Sequence, residues 1–139
     1  MRFWDTSAIV PLLTTEAQSE MMREVLADDP RIATAAIAPL EISSALWRRR
    51  HRREIGIAAQ YEAEVLFASL TRRWREVLHT AEVTEVALRL VTRHPMKSLD
   101  ALQLASAIVL APEPDILPFV TLDKGLKAAA RSEGFPVLP

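Results

Sequence analysis

The chain has 139 residues, of which half are apolar and a quarter are charged, and its formal net charge is −1. This length and composition predict a single domain over residues 1–139 and exclude a disordered chain, which would combine low hydrophobicity with high net charge. The absence of cysteine excludes disulfides, thiolate metal sites and cysteine nucleophiles. No apolar run approaches the roughly 20 residues of a membrane span, and without an apolar leader segment we expect a cytoplasmic protein.

Short apolar segments and segments with helical spacing alternate along the chain. In chain order they predict strand 2–4, helix 7–13, helix 16–27, strand 32–36, helix 39–54, helix 57–74, strand 77–80, helix 83–93, helix 99–110, strand 118–122, helix 124–132 and strand 136–138. Thr15 and Gln18 have the spacing of a capping box, Pro39 suits a first helical turn, and Ser98 is a predicted N-cap. Residues 111–115 contain two prolines and form a predicted loop.

Strands that alternate with helices predict an α/β fold, a three-layer sandwich with a short, mostly parallel central sheet flanked by helices. Sites in such folds form at the carboxyl ends of the strands. Asp5 and Asp123 each follow a predicted strand directly, so the predicted fold indicates these two acids as candidate site residues.

Four acids, Asp5, Glu41, Asp100 and Asp123, each have an ordinary structural explanation, since each stands at the start of a predicted helix, where a carboxylate caps or complements the helix dipole. Together they share a further property, because apolar residues flank or precede every one of them. We therefore expect all four at the rim of the core, in one cleft.

Carboxylates gathered in one cleft repel one another. Two unit charges about 4 Å apart repel by about 4 kcal/mol at an effective dielectric constant of about 20, so protonation or a cation must relieve the repulsion. An all-oxygen ligand set suits Mg²⁺ or Mn²⁺. The sequence thus predicts a hard-metal site that is open to water and to a phosphate group, and the rest of the chain, without these four acids, is net positive.

Four short motifs now resemble those of PIN domains, in their order and approximate spacing. They are Asp5-Thr6-Ser7-Ala8, Leu40-Glu41-Ile42, the run from Leu99-Asp100-Ala101 to Ala105, and Val120-Thr121-Leu122-Asp123. The resemblance covers nearly the whole chain, and in length and layout it is similar to the VapC group, the toxins of bacterial and archaeal toxin–antitoxin pairs. The ordered set is a strong signal, although Asp-Thr-Ser alone is a weak one.

The resemblance implies a Mg²⁺- or Mn²⁺-dependent endoribonuclease that is homodimeric and is held inactive by a small antitoxin protein. It implies that Asp5, Asp100 and Asp123 hold the metal and that Glu41 completes the catalytic acids. Thr6 and Thr121 are the expected supporting hydroxyls. The sequence departs from the family pattern at Gln103, where histidine is common, and at residues 111–115, which resemble an insertion.

Residues 48–53 contain five arginines and one histidine. Such a run has a plain explanation as a solvated helix end. It also suits RNA binding, because phosphate contacts dominate non-specific affinity for nucleic acid. Arg48 lies seven residues after Glu41, two helical turns along the same face, and we name Arg48, Arg49 and Arg52 as candidate RNA-binding residues.

The sequence leaves several other functions open. A phosphatase of the haloacid dehalogenase type would use Asp5 as nucleophile, but Ser7 stands where its second aspartate is expected. A receiver-like domain would use Lys124 but needs an acidic neighbour beside Asp5. Within the PIN resemblance, the alternatives are an RNA-processing nuclease without an antitoxin and a catalytically inactive partner-binding module.

Overall fold

The computed structural model describes residues 1–139, which form five strands and seven α-helices. In chain order these are β1 (Arg2–Trp4), α1 (Thr6–Leu13), α2 (Ser19–Asp28), β2 (Ile32–Ala35), α3 (Ala38–His51), α4 (Ile57–Thr71), β3 (Arg75–Val77), α5 (Ala81–Arg93), α6 (Ser98–Leu110), β4 (Phe119–Val120), α7 (Lys124–Ser132) and β5 (Val137–Leu138). The longest helix, α4, has 15 residues, and no helix combines the length and apolar composition needed to cross a membrane.

The strands form one sheet in the order β3-β2-β1-β4-β5, and every neighbouring pair is parallel. The α/β prediction is therefore confirmed. The chain adds β2 and β3 on one side of β1 and then β4 and β5 on the other, so the topological switch lies between β1 and β4. Ligand sites in open α/β sheets form at such a switch, beyond the carboxyl ends of the strands. The order also differs from the 2-1-3-4-5 arrangement of receiver domains, which excludes that alternative.

Alternating side chains of the central strands β2, β1 and β4 enter two separate cores, one on each face of the sheet. Phe3 and Phe119 stack at 5.3 Å between ring centroids and face the core beneath α5, α6 and α7. Trp4 and Val120, the next residues along, face the core beneath α1 to α4. Burial on both faces of the sheet explains why β1, β2 and β4 are mostly apolar.

Three local predictions are wrong. The third strand is Arg75–Val77 rather than 77–80, because Arg75 to Val77 pair in register with Ala33 to Ala35 of β2 while Thr80 caps α5 by accepting from the Val83 amide. The capping box does not form, since α2 begins at Ser19 and the Ser19 hydroxyl instead bonds the Thr14 carbonyl. Ser98 is the first helical residue of α6 and not its N-cap, which is Lys97.

Residues 111–115 lead into a single 3₁₀ turn, Pro114–Ile116, before β4. Pro114 packs against Gly134, which ends α7 with a φ of +93°. A Cβ at this glycine would lie 3.1 Å from the Pro114 ring, so the backbone conformation and the close approach both require glycine here. The predicted stop signal at Gly134 is thus confirmed.

Candidate active site

An open cleft of about 1090 Å³ lies at the carboxyl ends of β1 and β4, at the topological switch. All four predicted acids line it. Asp5 follows β1, Asp123 follows β4, and Glu41 and Asp100 stand in the first turns of α3 and α6. The structure therefore brings into one cleft four acids that are up to 118 positions apart in sequence, as the apolar residues beside them predict.

Asp5 is the most buried of the four acids, with 5% of its surface exposed. Its Oδ2 accepts hydrogen bonds from the Ser7 amide (3.1 Å), the Ser7 hydroxyl and the Thr121 hydroxyl (3.0 Å). Burial raises the pKa of Asp5 to about 6, although these hydrogen bonds act in the opposite direction, and the charge of Glu41 raises it further. No hydrogen bond within the chain reaches Oδ1.

Glu41 is half-buried, and both of its hydrogen bonds go to Oε2. The Thr6 hydroxyl donates at 2.9 Å and the Gln103 amide at 2.6 Å. The second oxygen, Oε1, has no partner within the chain.

Asp123 is exposed and caps α7, because its Oδ1 accepts from the Leu126 amide at 2.7 Å. Asp100 faces it across the cleft. Burial raises the pKa of Asp100, and the negative charge of Asp123 raises it further, while Lys97 acts in the opposite direction. The capping role occupies only Oδ1 of Asp123, and Oδ2 has no partner within the chain. The predicted capping role is therefore compatible with a place in the cleft.

The donor chemistry of the cleft fits a hard divalent cation. Asp5, Glu41 and Asp123 each use one oxygen for internal hydrogen bonds and leave the other without a partner in the chain. The pKa values of Asp5 and Asp100 are raised by burial and by neighbouring acids, which are effects that a bound cation would reverse. No three acidic or histidine side chains are grouped closely enough to hold one ion together.

The predicted RNA-binding arginines occupy three different settings. Arg48 lines the cleft and forms no ion pair within the chain. Arg49 also lines the cleft but is engaged by Glu16 in a two-point ion pair, with Nη1–Oε1 at 3.0 Å and Nη2–Oε2 at 3.3 Å. Arg52 lies outside the cleft, and its nearest acid is Glu54 at 4.0 Å.

Sequence reasoning assigned no role to several residues that lie in the cleft or beneath it. Lys97 lines it without an ion pair, Glu16 neutralises Arg49, and Gln103 contacts Glu41 from below. Burial alone would raise the pKa of Glu16, but the hydrogen bonds and charge of Arg49 lower it. The Ser7 hydroxyl bonds Asp5 and accepts from the Leu122 amide, a role that the Asp-Thr-Ser run of the first motif already contains.

Comparisons with known proteins agree with this fold. The chain is 28% identical over 137 residues to Ribonuclease VapC45 of Mycobacterium tuberculosis, covering 99% of this chain and 94% of that protein. Its fold matches the crystal structure of Mycobacterium tuberculosis VapC20, a sarcin-ricin loop cleaving toxin, with a TM-score of 0.69, 22% identity and full coverage of both chains. It also matches a toxin–antitoxin complex from Klebsiella pneumoniae with a TM-score of 0.68 and 16% identity, covering all of this chain and 97% of that one.

The family pattern itself extends over residues 2–132, which is nearly the whole chain. It leaves the haloacid dehalogenase alternative without support. With the parallel sheet, the switch-point cleft and the four motifs all in place, the chain belongs to the PIN domain family.

Proposed function

We propose that this PIN domain is a divalent-metal-dependent endoribonuclease and the toxin of a toxin–antitoxin pair. The observation that carries the proposal is the cleft, in which four carboxylates at a topological switch keep free oxygens and stand beside unpaired cations. The curated relatives at 28% identity are named ribonucleases, and a structural neighbour is a toxin–antitoxin complex, which supports the same assignment.

Asp5, Asp100 and Asp123 would hold Mg²⁺ or Mn²⁺, and Glu41 would orient the attacking water. When bound, the metal neutralises charge on the phosphate oxygens and makes water a stronger nucleophile. The chain prepares this site by hydrogen bonding. Ser7 and Thr121 hold Oδ2 of Asp5, so that Oδ1 is the oxygen left for the cleft. Thr6 acts in the same way on Glu41.

The RNA backbone would enter beside Arg48 and Lys97, the cleft cations that form no ion pair within the chain. Unpaired cations are available to phosphates without first breaking an internal contact. Arg49 would contribute less, because Glu16 already neutralises its charge. Arg52 stays a candidate for a more distant phosphate, since it is the C-cap residue of α3 and lies outside the cleft.

RNA cleavage by the purified protein tests this function. We expect cleavage with Mg²⁺ or Mn²⁺, none with excess EDTA, and a loss of at least about 100-fold in Asp5→Ala and Asp100→Ala. Asp115→Ala is the matched control, because Asp115 is an exposed aspartate outside the cleft. Activity within threefold of wild type in both cleft variants would contradict the assignment.

The toxin role, the homodimer and the cytoplasmic location are further parts of the proposal. We expect expression to arrest bacterial growth, Asp100→Ala to abolish the arrest, and co-expression of a small protein encoded immediately upstream to relieve it. Arrest that no neighbouring gene relieves would instead favour an RNA-processing nuclease. Failure to bind Mn²⁺ in calorimetry would favour an inactive partner-binding module.

A further inference from the structure

The side chain of Gln103 lies beneath the cleft and is directed at Glu41. It stands on α6, one turn after Asp100, and only 1% of its surface is exposed. Its Nε2 donates to Oε2 of Glu41 at 2.6 Å and to the Thr6 hydroxyl at 3.0 Å, while that hydroxyl donates to the same Glu41 oxygen at 2.9 Å. Three helices, α1, α3 and α6, therefore meet at one carboxylate oxygen.

Packing alone does not account for an amide at this position. The carbonyl oxygen of Gln103, Oε1, is buried without a hydrogen-bond partner, and an unpaired buried acceptor destabilises the folded state. The buried residues beside it on α6 include the apolar Ala101, Leu104 and Ala105, and the buried hydroxyl of Ser106 donates to a carbonyl of its own helix. An apolar side chain would avoid the cost, so the stabilising contribution of Gln103 comes from the two hydrogen bonds that its amide donates.

The hydrogen bond from Gln103 to Glu41 restricts the rotation of the Glu41 side chain. A glutamate has three rotatable side-chain bonds, and fixing them costs conformational entropy. With Gln103 and Thr6 both on Oε2, the carboxylate has one well-defined orientation, and Oε1 remains for the cleft. Thr6 alone would leave a single hydrogen bond, about which the carboxylate can rotate.

We propose that Gln103 is a positioning residue that holds Glu41 in the orientation required for catalysis, an inference that rests on the proposed ribonuclease function. Gln103 does not line the cleft, so it acts through Glu41 and not on RNA. Hydrogen-bond partners of this kind, one contact removed from the reacting groups, typically contribute about 10- to 100-fold to activity.

Gln103→Met tests the proposal, because methionine is unbranched and of similar length but donates no hydrogen bond. We expect kcat to fall about 10- to 100-fold with little change in KM for RNA. In a Glu41→Ala background the same substitution is expected to have no further effect, because Glu41 is the residue through which it acts. Ser106→Ala is the matched control, a buried polar residue one turn along α6 that bonds only its own helix.

An equal loss in both backgrounds, or kcat within twofold of wild type, would overturn the proposal. Crystal structures of wild type and Gln103→Met supply a readout that does not depend on activity. The Glu41 carboxylate is expected to rotate or to occupy several positions in the variant, and an unchanged, fully ordered Glu41 would overturn the proposal even if the wild type cleaved no RNA. Absence of cleavage in wild type would contradict only the ribonuclease function. Gln103→Leu serves as the second apolar replacement if Gln103→Met does not fold.

Discussion

Asp5 occupies a position that disfavours its own charge. The carboxylate is almost completely buried at the end of β1, and three hydrogen bonds from Ser7 and Thr121 offset only part of the cost of burial. Its pKa rises from 3.8 to about 6. A folded-state pKa above the unfolded value means that the folded protein binds the proton more tightly. Without metal, the contribution of Asp5 to stability is therefore greatest below about pH 4 and is lost as pH rises through about 6.

Asp5→Asn is accordingly expected to stabilise the metal-free protein at pH 8. A shift of this size corresponds to at most about 3 kcal/mol at about 1.36 kcal/mol per pKa unit, and the altered hydrogen bonds with Ser7 and Thr121 reduce the gain. Urea unfolding in EDTA at pH 5 and pH 8 measures the difference in the free energy of unfolding between the variant and wild type. The variant should gain more relative to wild type at pH 8 than at pH 5. Exposed Asp115→Asn is the control, and a variant less stable than wild type at pH 8 would contradict the prediction.

At the level of elements, the strand-end argument correctly brought Asp5 and Asp123 to one edge of the sheet, and the apolar strands and most helices lie where the periodicity indicates. The position of β3 and the Arg49–Glu16 ion pair were not predicted, because both depend on contacts between segments that are distant in sequence. The edge strand β3 is formed by Arg75 and Glu76, which have no apolar signal, because β2 offers a free edge for pairing. The Arg49–Glu16 ion pair joins α3 to the loop before α2, and no local pattern in the sequence encodes such a contact.

Helix α3 supplies a direct comparison between two exposed arginines. Arg48 lines the cleft and Arg52 lies one turn further along, outside it. In the inactive Asp5→Asn background, Arg48→Ala is expected to weaken binding of single-stranded RNA about fivefold, the equivalent of about 1 kcal/mol for one exposed ion pair. It should also lower the salt dependence of log K by about 0.7, the value for one phosphate contact.

Arg52→Ala is expected to change RNA affinity less than Arg48→Ala, and fluorescence anisotropy over a range of salt concentrations measures both. Arg49→Ala is a less informative variant, because it also leaves Glu16 without its partner. A larger effect at Arg52 than at Arg48 would place the RNA along the outer end of α3 and not in the cleft.

For the molecule as a whole, the cleft joins two layers that otherwise pack separately. Asp5 and Asp123 follow the central strands, Glu41 belongs to α3 on one face of the sheet, and Asp100 belongs to α6 on the other. The near-neutral net charge thus conceals an acidic cleft within a chain whose remaining residues are net positive. Binding of a cation by the proposed ligands Asp5, Asp100 and Asp123 would connect β1, α6 and β4, and a ligand that binds only the folded state raises its stability.

Mn²⁺ is therefore expected to raise the melting temperature of the whole domain in one cooperative transition. At 100 times its Kd the stabilisation is about 2.7 kcal/mol, which corresponds to several degrees for a chain of this length. Asp5→Asn and Asp100→Asn each remove the charge of a proposed ligand, so both should show little or no shift, whereas exposed Asp115→Asn should respond as wild type does. Differential scanning calorimetry with and without Mn²⁺ measures the shift. A shift equal to that of wild type in the two cleft variants would mean that the ion binds outside the cleft, because each variant lacks one of the proposed ligand carboxylates.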